Sequence, residues 1–116
     1  MDRRLIGAWG ESEAARFLRK RGYRLLGMNY RTRMGEVDII TQKGRFLAFV
    51  EVKTRSDAAH GGAKEFVTPR KQERVRLAAQ DWLTKNETEL QPRFDVVEVY
   101  RGADGSAEVN HIENAF

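Results

Sequence analysis

The stretch Phe46-Leu47-Ala48-Phe49-Val50 is apolar at both parities of a strand. A strand with one wet face alternates polar and apolar residues; one that is apolar on both faces must be covered on both. This places the strand, read over Arg45 to Thr54, at the centre of a sheet with helices packed on either side. The rest of the chain supplies those layers. Residues Ile6 to Arg21 read as a helix stopped by Gly22, with Ala14, Ala15 and Leu18 at helical spacing. Arg16, Arg19, Lys20 and Arg21 gather in its C-terminal half, where the helix dipole favours cations. Tyr23 to Asn29 and Met34 to Thr41 read as strands, with a turn at Gln42-Lys43-Gly44.

After the central strand, residues 55–67 are polar, contain Gly61-Gly62 and read as a mobile loop. Thr68-Pro69 then opens a second helix as an N-cap followed by a first-turn proline. That helix runs to about Lys85, with Val75, Ala78, Ala79 and Trp82 as its apolar stripe. Arg93 to Tyr100 reads as a fourth strand, Gly102 to Gly105 as a turn and Ala107 to Ile112 as a fifth strand. The short links predict an antiparallel meander for the first three strands, and the intervening helix allows the fourth to run parallel to the third. The expected class is α/β, a mixed sheet flanked by helices in the order α-β-β-β-α-β-β, over one domain of 116 residues.

Cysteine is absent, which excludes disulfides, thiolate metal sites and a cysteine nucleophile. The apolar stretch after Asp2-Arg3-Arg4 is broken at Glu11, unlike a signal peptide, so a soluble cytoplasmic protein is expected. A formal net charge of +4 favours a polyanionic partner, with nucleic acid the commonest.

Three acidic positions stand out. Glu11 lies at the centre of the first helix's apolar stripe, where a carboxylate needs a cation or strong donors unless the helix start leaves it solvated. In Gly35-Glu36-Val37-Asp38-Ile39-Ile40, strand alternation puts Glu36, Asp38 and Ile40 on one face. Acids inside a strand suit either a hard divalent cation or an exposed edge. In Val50-Glu51-Val52-Lys53, Glu51 and Lys53 share a face at the end of the buried strand. They read either as an ion pair or as a site for metal-assisted hydrolysis, with Glu51 holding the metal and Lys53 meeting charge on phosphoryl oxygens. Arg31, Arg33, Arg55, Lys64, Arg70, Lys71 and Arg74 flank these acids and are read as phosphate contacts. His60, His111, Asp95, Trp9 and Trp82 carry weaker signals; His111 reads as structural and Asp95 as a turn or strand-end residue.

Several segments together resemble the YraN family of bacterial proteins. They are Gly10-Glu11 with Ala14-Ala15, Gly22-Tyr23, Asn29-Tyr30, Gly35-Glu36-Val37-Asp38-Ile39-Ile40, Phe49-Val50-Glu51-Val52-Lys53-Thr54-Arg55, Thr68-Pro69-Arg70-Lys71 and Arg93-Phe94-Asp95-Val96-Val97. That family is similar to archaeal Holliday-junction resolvases of the restriction-endonuclease-like superfamily. The resemblance implies that Glu11, Asp38, Glu51 and Lys53 form a catalytic set, with Asp38, Glu51 and Glu11 around Mg²⁺ or Mn²⁺. It further implies phosphodiester hydrolysis in DNA, on branched substrates, by a homodimer. Val37 stands where the superfamily often has proline. The alternative expectation is a non-catalytic nucleic-acid-binding module of the same fold, a partner in recombination or repair.

Overall fold

The computed structural model describes residues 2–56 and 67–116. The predicted loop therefore lies largely outside the described residues, together with Lys64, His60 and Gly61-Gly62. The element order is α1 (Arg3–Lys20), β1 (Arg24–Arg31), β2 (Glu36–Lys43), β3 (Phe46–Ser56), α2 (Pro69–Lys85), β4 (Gln91–Arg101) and β5 (Ala107–Ile112). The strands form one mixed sheet in the order β1-β2-β3-β4-β5. β1, β2 and β3 are antiparallel neighbours, β4 runs parallel to β3 and β5 antiparallel to β4.

α1 starts earlier than its apolar stripe suggests. The Asp2 side chain accepts the Leu5 backbone N–H at 3.0 Å, so the helix begins at Arg3 rather than Ile6. It ends as expected at Gly22, whose φ of 92° suits a residue without a Cβ. The Tyr23 and Gly22 N–H groups reach back to the carbonyls of Leu18 and Arg19, closing the last turn. This delays β1 to Arg24. Arg55 and Ser56 extend β3 rather than starting a loop. β4 likewise begins at Gln91 and contains Pro92, which β3 pairs on one side while β5 joins only from Val96.

The central strand divides the core by parity. Ala48, Val50 and Val52 pack with Ala14, Ala15 and Leu18 of α1 and with Val97 and Val99 of β4. Leu47 and Phe49 pack with Val75, Ala78 and Ala79 of α2 on the other face. Phe49 stacks on Phe94 and meets Trp82 edge-on, so burial and ring geometry both hold α2 down. Both helices approach their neighbours closely at a glycine. A Cβ on Gly10 would stand 1.9 Å from Thr54 Oγ1, and one on Gly35 would stand 2.0 Å from the Arg74 carbonyl oxygen.

β2 does not keep strict alternation. Val37 and Ile40 belong to the α2-side cluster, while Ile39 belongs to the α1-side cluster. The strand changes phase around Asp38, so Glu36, Asp38 and Ile40 do not share one face as alternation had predicted. Backbone pairing with β3 runs from Lys43↔Phe46 to Ile39↔Val50. Beyond it the Asp38 side chain, not a backbone carbonyl, accepts the Val52 N–H. No helix among the described residues is long and apolar enough to cross a membrane.

Candidate active site

The phase change delivers Asp38 to Glu51. Asp38 is 9% exposed and Glu51 is 3% exposed. The Asp38 carboxylate is held by the Val52 N–H at 2.8 Å. Glu51 Oε2 faces the Lys71 ammonium at 3.3 Å, while its other oxygen, Oε1, is buried with no hydrogen-bond partner. Burial pushes the Glu51 carboxyl up to about 7, and the nearby Asp38 charge adds to this, against Lys71 and Lys53. Burial also raises Asp38, with the Val52 N–H and Lys71 opposing. Two carboxylates in one desolvated place cannot both ionise without a cation.

Glu11 joins from α1, half-buried on the helix face that carries Ala14, Ala15 and Leu18. Burial raises its pKa and the Asp38 charge raises it further, while a hydrogen bond from Asn29 and the charge of Arg31 pull it down. Asn29, at φ 53°, lies in β1; the sequence marks Asn29-Tyr30 as part of the family resemblance but gives Asn29 no role at the site. Its positive φ in a strand was not readable, although asparagine is among the few residues that tolerate that conformation.

Glu51 and Lys53 open into a cavity of about 510 Å³ lined by Arg3, Ile6, Gly7, Val52, Thr54, Arg55, Lys71 and Arg101 as well. It lies where the N-terminal turns of both helices meet the C-terminal ends of β3 and β4. In sheets with parallel strands this is the usual ligand position, and the helix dipoles favour an anion there. Five of the lining residues are cationic and one is acidic.

The predicted basic flank divides. Lys71 and Arg55 line this cavity, and Arg3 and Arg101 join them although sequence reading did not single them out. Arg55 also pairs at 3.5 Å with Glu98, which is 1% exposed and accepts from Asn110 at 3.0 Å. Arg31 and Arg33 line a separate groove with Lys85 and Thr84; Arg31 pairs with Glu36 at 3.4 Å. Arg70 and Arg74 are exposed on α2. Lys64 lies outside the described residues. Glu98 was missed, and its one signal was an acid inside the apolar run Val96-Val97-Glu98-Val99-Tyr100.

At the other end of β4, Asp95 is fully buried and is not a simple strand end. It accepts from Arg93 Nε and Nη2 at 2.9 and 2.8 Å and from the Asn114 N–H at 3.0 Å, and lies 2.8 Å from His111 Nε2. Arg93 also donates to the Tyr23 hydroxyl at 2.7 Å. These contacts tie β4, β5 and the end of α1 together and leave His111 enclosed.

Among the described residues no three His, Cys, Asp or Glu side chains converge closely enough to hold a metal ion by themselves. The chain offers a carboxylate pair. Mg²⁺ retains most of its water and is commonly held by one or two carboxylates plus substrate phosphate. Asp38 and Glu51, with the orphaned Oε1, fit that demand.

A family model described as "Uncharacterised protein family UPF0102" matches residues 10–99. A UPF0102 protein of Syntrophotalea carbinolica is 46% identical over 96% of this chain and 90% of its own length. One from Alkaliphilus oremlandii is 46% identical over 96% of this chain and 97% of its own. One from Anaeromyxobacter dehalogenans is 47% identical over 98% and 85% respectively. The match takes in Glu11, Asp38, Glu51, Lys53 and Lys71 alike, and this chain belongs to the UPF0102, or YraN, family.

Proposed function

We propose that this protein is a metal-dependent endonuclease that hydrolyses phosphodiesters in DNA, with branched, four-way-junction-like DNA as its preferred substrate. The observation that carries this reading is the buried Asp38–Glu51 pair with an unsatisfied Glu51 oxygen, Glu51 being the one acid in a cavity lining that holds five cationic residues. A pair like this is expensive to maintain, and the single charge of Lys71 offsets only part of it. A cavity of this charge suits a phosphate.

Asp38 and Glu51 would hold Mg²⁺ or Mn²⁺. A bound divalent cation supplies charge to the phosphoryl oxygens and acidity to water. Lys53, on the same face as Glu51, meets charge developing on the phosphoryl group. Glu11, with its raised pKa and its hydrogen bond from Asn29, orients water beside Asp38. Lys53, Lys71, Arg3 and Arg101 draw the backbone in without reading sequence. A four-way junction is cut symmetrically on two strands, so the proposed working unit is a homodimer.

The test is cleavage of labelled duplex, single-stranded, flapped and four-way-junction DNA in Mg²⁺ or Mn²⁺. Wild type should cut the junction and Asp38→Asn should not. Equal cutting by both proteins would end the proposal.

A second reading, a DNA-binding module of the same fold that does not cut, draws on the absence of a third converging carboxylate among the described residues. It expects salt-sensitive binding, with log affinity falling linearly in log salt. No substrate would then be cleaved under any metal.

A further inference from the structure

We infer that Lys71 is the resident counter-cation of the Asp38–Glu51 pair and that a divalent metal enters this site only by displacing it. The inference deepens the metal-site reading proposed above and rests on it.

Lys71 stands in the first turn of α2, two residues after Pro69. That is the wrong end of a helix for a cation, because the dipole there is positive. The first turn of α2 holds no acid at all. Its N-cap makes no use of the ammonium, since Thr68 Oγ1 accepts the Lys71 backbone N–H at 3.2 Å. Nothing within the helix therefore explains a lysine here. Its partner across the fold does: Nζ lies 3.3 Å from Glu51 Oε2.

The two partners differ in freedom. The Lys71 side chain is 44% exposed and the Glu51 side chain 4%. A lysine stem is flexible and its head is strongly hydrated, so Lys71 can swing into water. Glu51 is fixed in the wall of the sheet. The ammonium also satisfies only one of the two Glu51 oxygens, leaving Oε1 without a partner. A compact +1 charge thus fills the site incompletely, whereas a divalent ion can bind the free oxygen and Asp38 together. Two cations on one carboxylate repel, and only Lys71 has an exposed, flexible stem with which to withdraw, so the metal displaces it.

The test is titration of the DNA-free protein with Mn²⁺ at pH 8, reading free Mn²⁺ by electron paramagnetic resonance. Lys71→Gln keeps a donor for Glu51 but removes the charge. Lys71→Met keeps the stem and guards against an effect peculiar to the amide. Arg70→Gln removes the same charge from the neighbouring exposed residue. Both Lys71 variants should bind Mn²⁺ about tenfold more tightly than wild type, and Arg70→Gln should stay within about twofold. Glu51→Gln should abolish binding. If Glu51→Gln abolishes binding but the Lys71 variants bind no more tightly than wild type, the inference fails and the metal site stands. If no protein in the series, Lys71 variants included, binds Mn²⁺, the metal-site reading fails and takes this inference with it.

Discussion

The Asp38 carboxylate accepts the backbone N–H of Val52 at 2.8 Å, so a side chain of β2 takes over a hydrogen bond that a backbone carbonyl would otherwise supply to β3. The substitution ends the β2–β3 ladder at Ile39↔Val50. It also brings Asp38 beside Glu51, since the two strands part just where both acids emerge. One interaction therefore serves both the fold and the site, and variants can separate the two roles.

Asp38→Asn keeps an oxygen that can accept the Val52 N–H, whereas Asp38→Ala leaves that buried donor unpaired. The alanine variant should lose roughly 1–3 kcal/mol of stability relative to the asparagine one. Cleavage should fall by at least about a hundredfold in both, while DNA affinity stays within about threefold of wild type because the phosphate contacts are untouched. Urea melts and junction-binding titrations on the two proteins check this. Equal stability would mean that the Val52 bond contributes nothing.

Much of this architecture is legible in the residues. Phe46 to Val50 announce a strand covered on both faces, and Gly22 ends α1 where expected. Glu51 and Lys53 follow from alternation alone, because β3 keeps its phase. Asp38 does not, because its side chain breaks the very alternation used to place it. Lys71 read as one phosphate contact among several; its pairing with Glu51 depends on how α2 docks, which no local pattern carries. Asp95 and Glu98 are opaque for the same reason. A buried acid looks like a surface acid until its donors, which come from β3, β5 and the C-terminal residues, are brought to it.

Without metal, stability should fall as pH rises through neutrality. Glu51 has a folded-state value of about 7 against an ordinary 4.5, so the folded protein binds this proton more tightly than the unfolded chain. The contribution is fully present below about pH 4.5 and is lost as pH climbs to about 7, a decline of roughly 3 kcal/mol. Urea midpoints measured in EDTA from pH 4.5 to 8 should trace it. Glu51→Gln should flatten the slope, and saturating Mn²⁺ should restore wild-type stability at pH 8. A flat profile for wild type would mean that the pair is not desolvated as described.

Asp95 should act in the opposite direction and at lower pH. Burial raises its carboxyl, but hydrogen bonds from His111, Arg93 and the Asn114 N–H outweigh this and hold it below the usual range. Its stabilisation is present above about pH 4 and is lost as pH falls through the depressed folded value. Asp95→Asn should destabilise the protein by about 3 kcal/mol, because Arg93 then keeps a largely buried charge offset only by the exposed Glu113 carboxylate 3.9 Å away. Thermal or urea unfolding of the variant at pH 7 reads this directly, and a loss under about 1 kcal/mol would show the network to be dispensable.

The two close-packed glycines should differ in how far they tolerate a methyl group. At Gly10 the new Cβ meets the Thr54 side chain, with Oγ1 at 1.9 Å and Cγ2 at 3.1 Å. At Gly35 it meets the backbone of α2, with the Arg74 carbonyl oxygen at 2.0 Å and Cα at 2.8 Å. A side chain can rotate or be trimmed; a helix backbone can move only by shifting the whole of α2. Gly10→Ala should therefore cost about 1–3 kcal/mol, and Thr54→Ala in the same chain should return most of it, a coupling that a double-mutant cycle measures. Gly35→Ala should cost more and find no rescue in any single side-chain truncation. It should also weaken Mn²⁺ binding, because Gly35 directly precedes the strand that carries Asp38. Retained stability and metal affinity in Gly35→Ala would show that α2 can shift without disturbing the carboxylate pair.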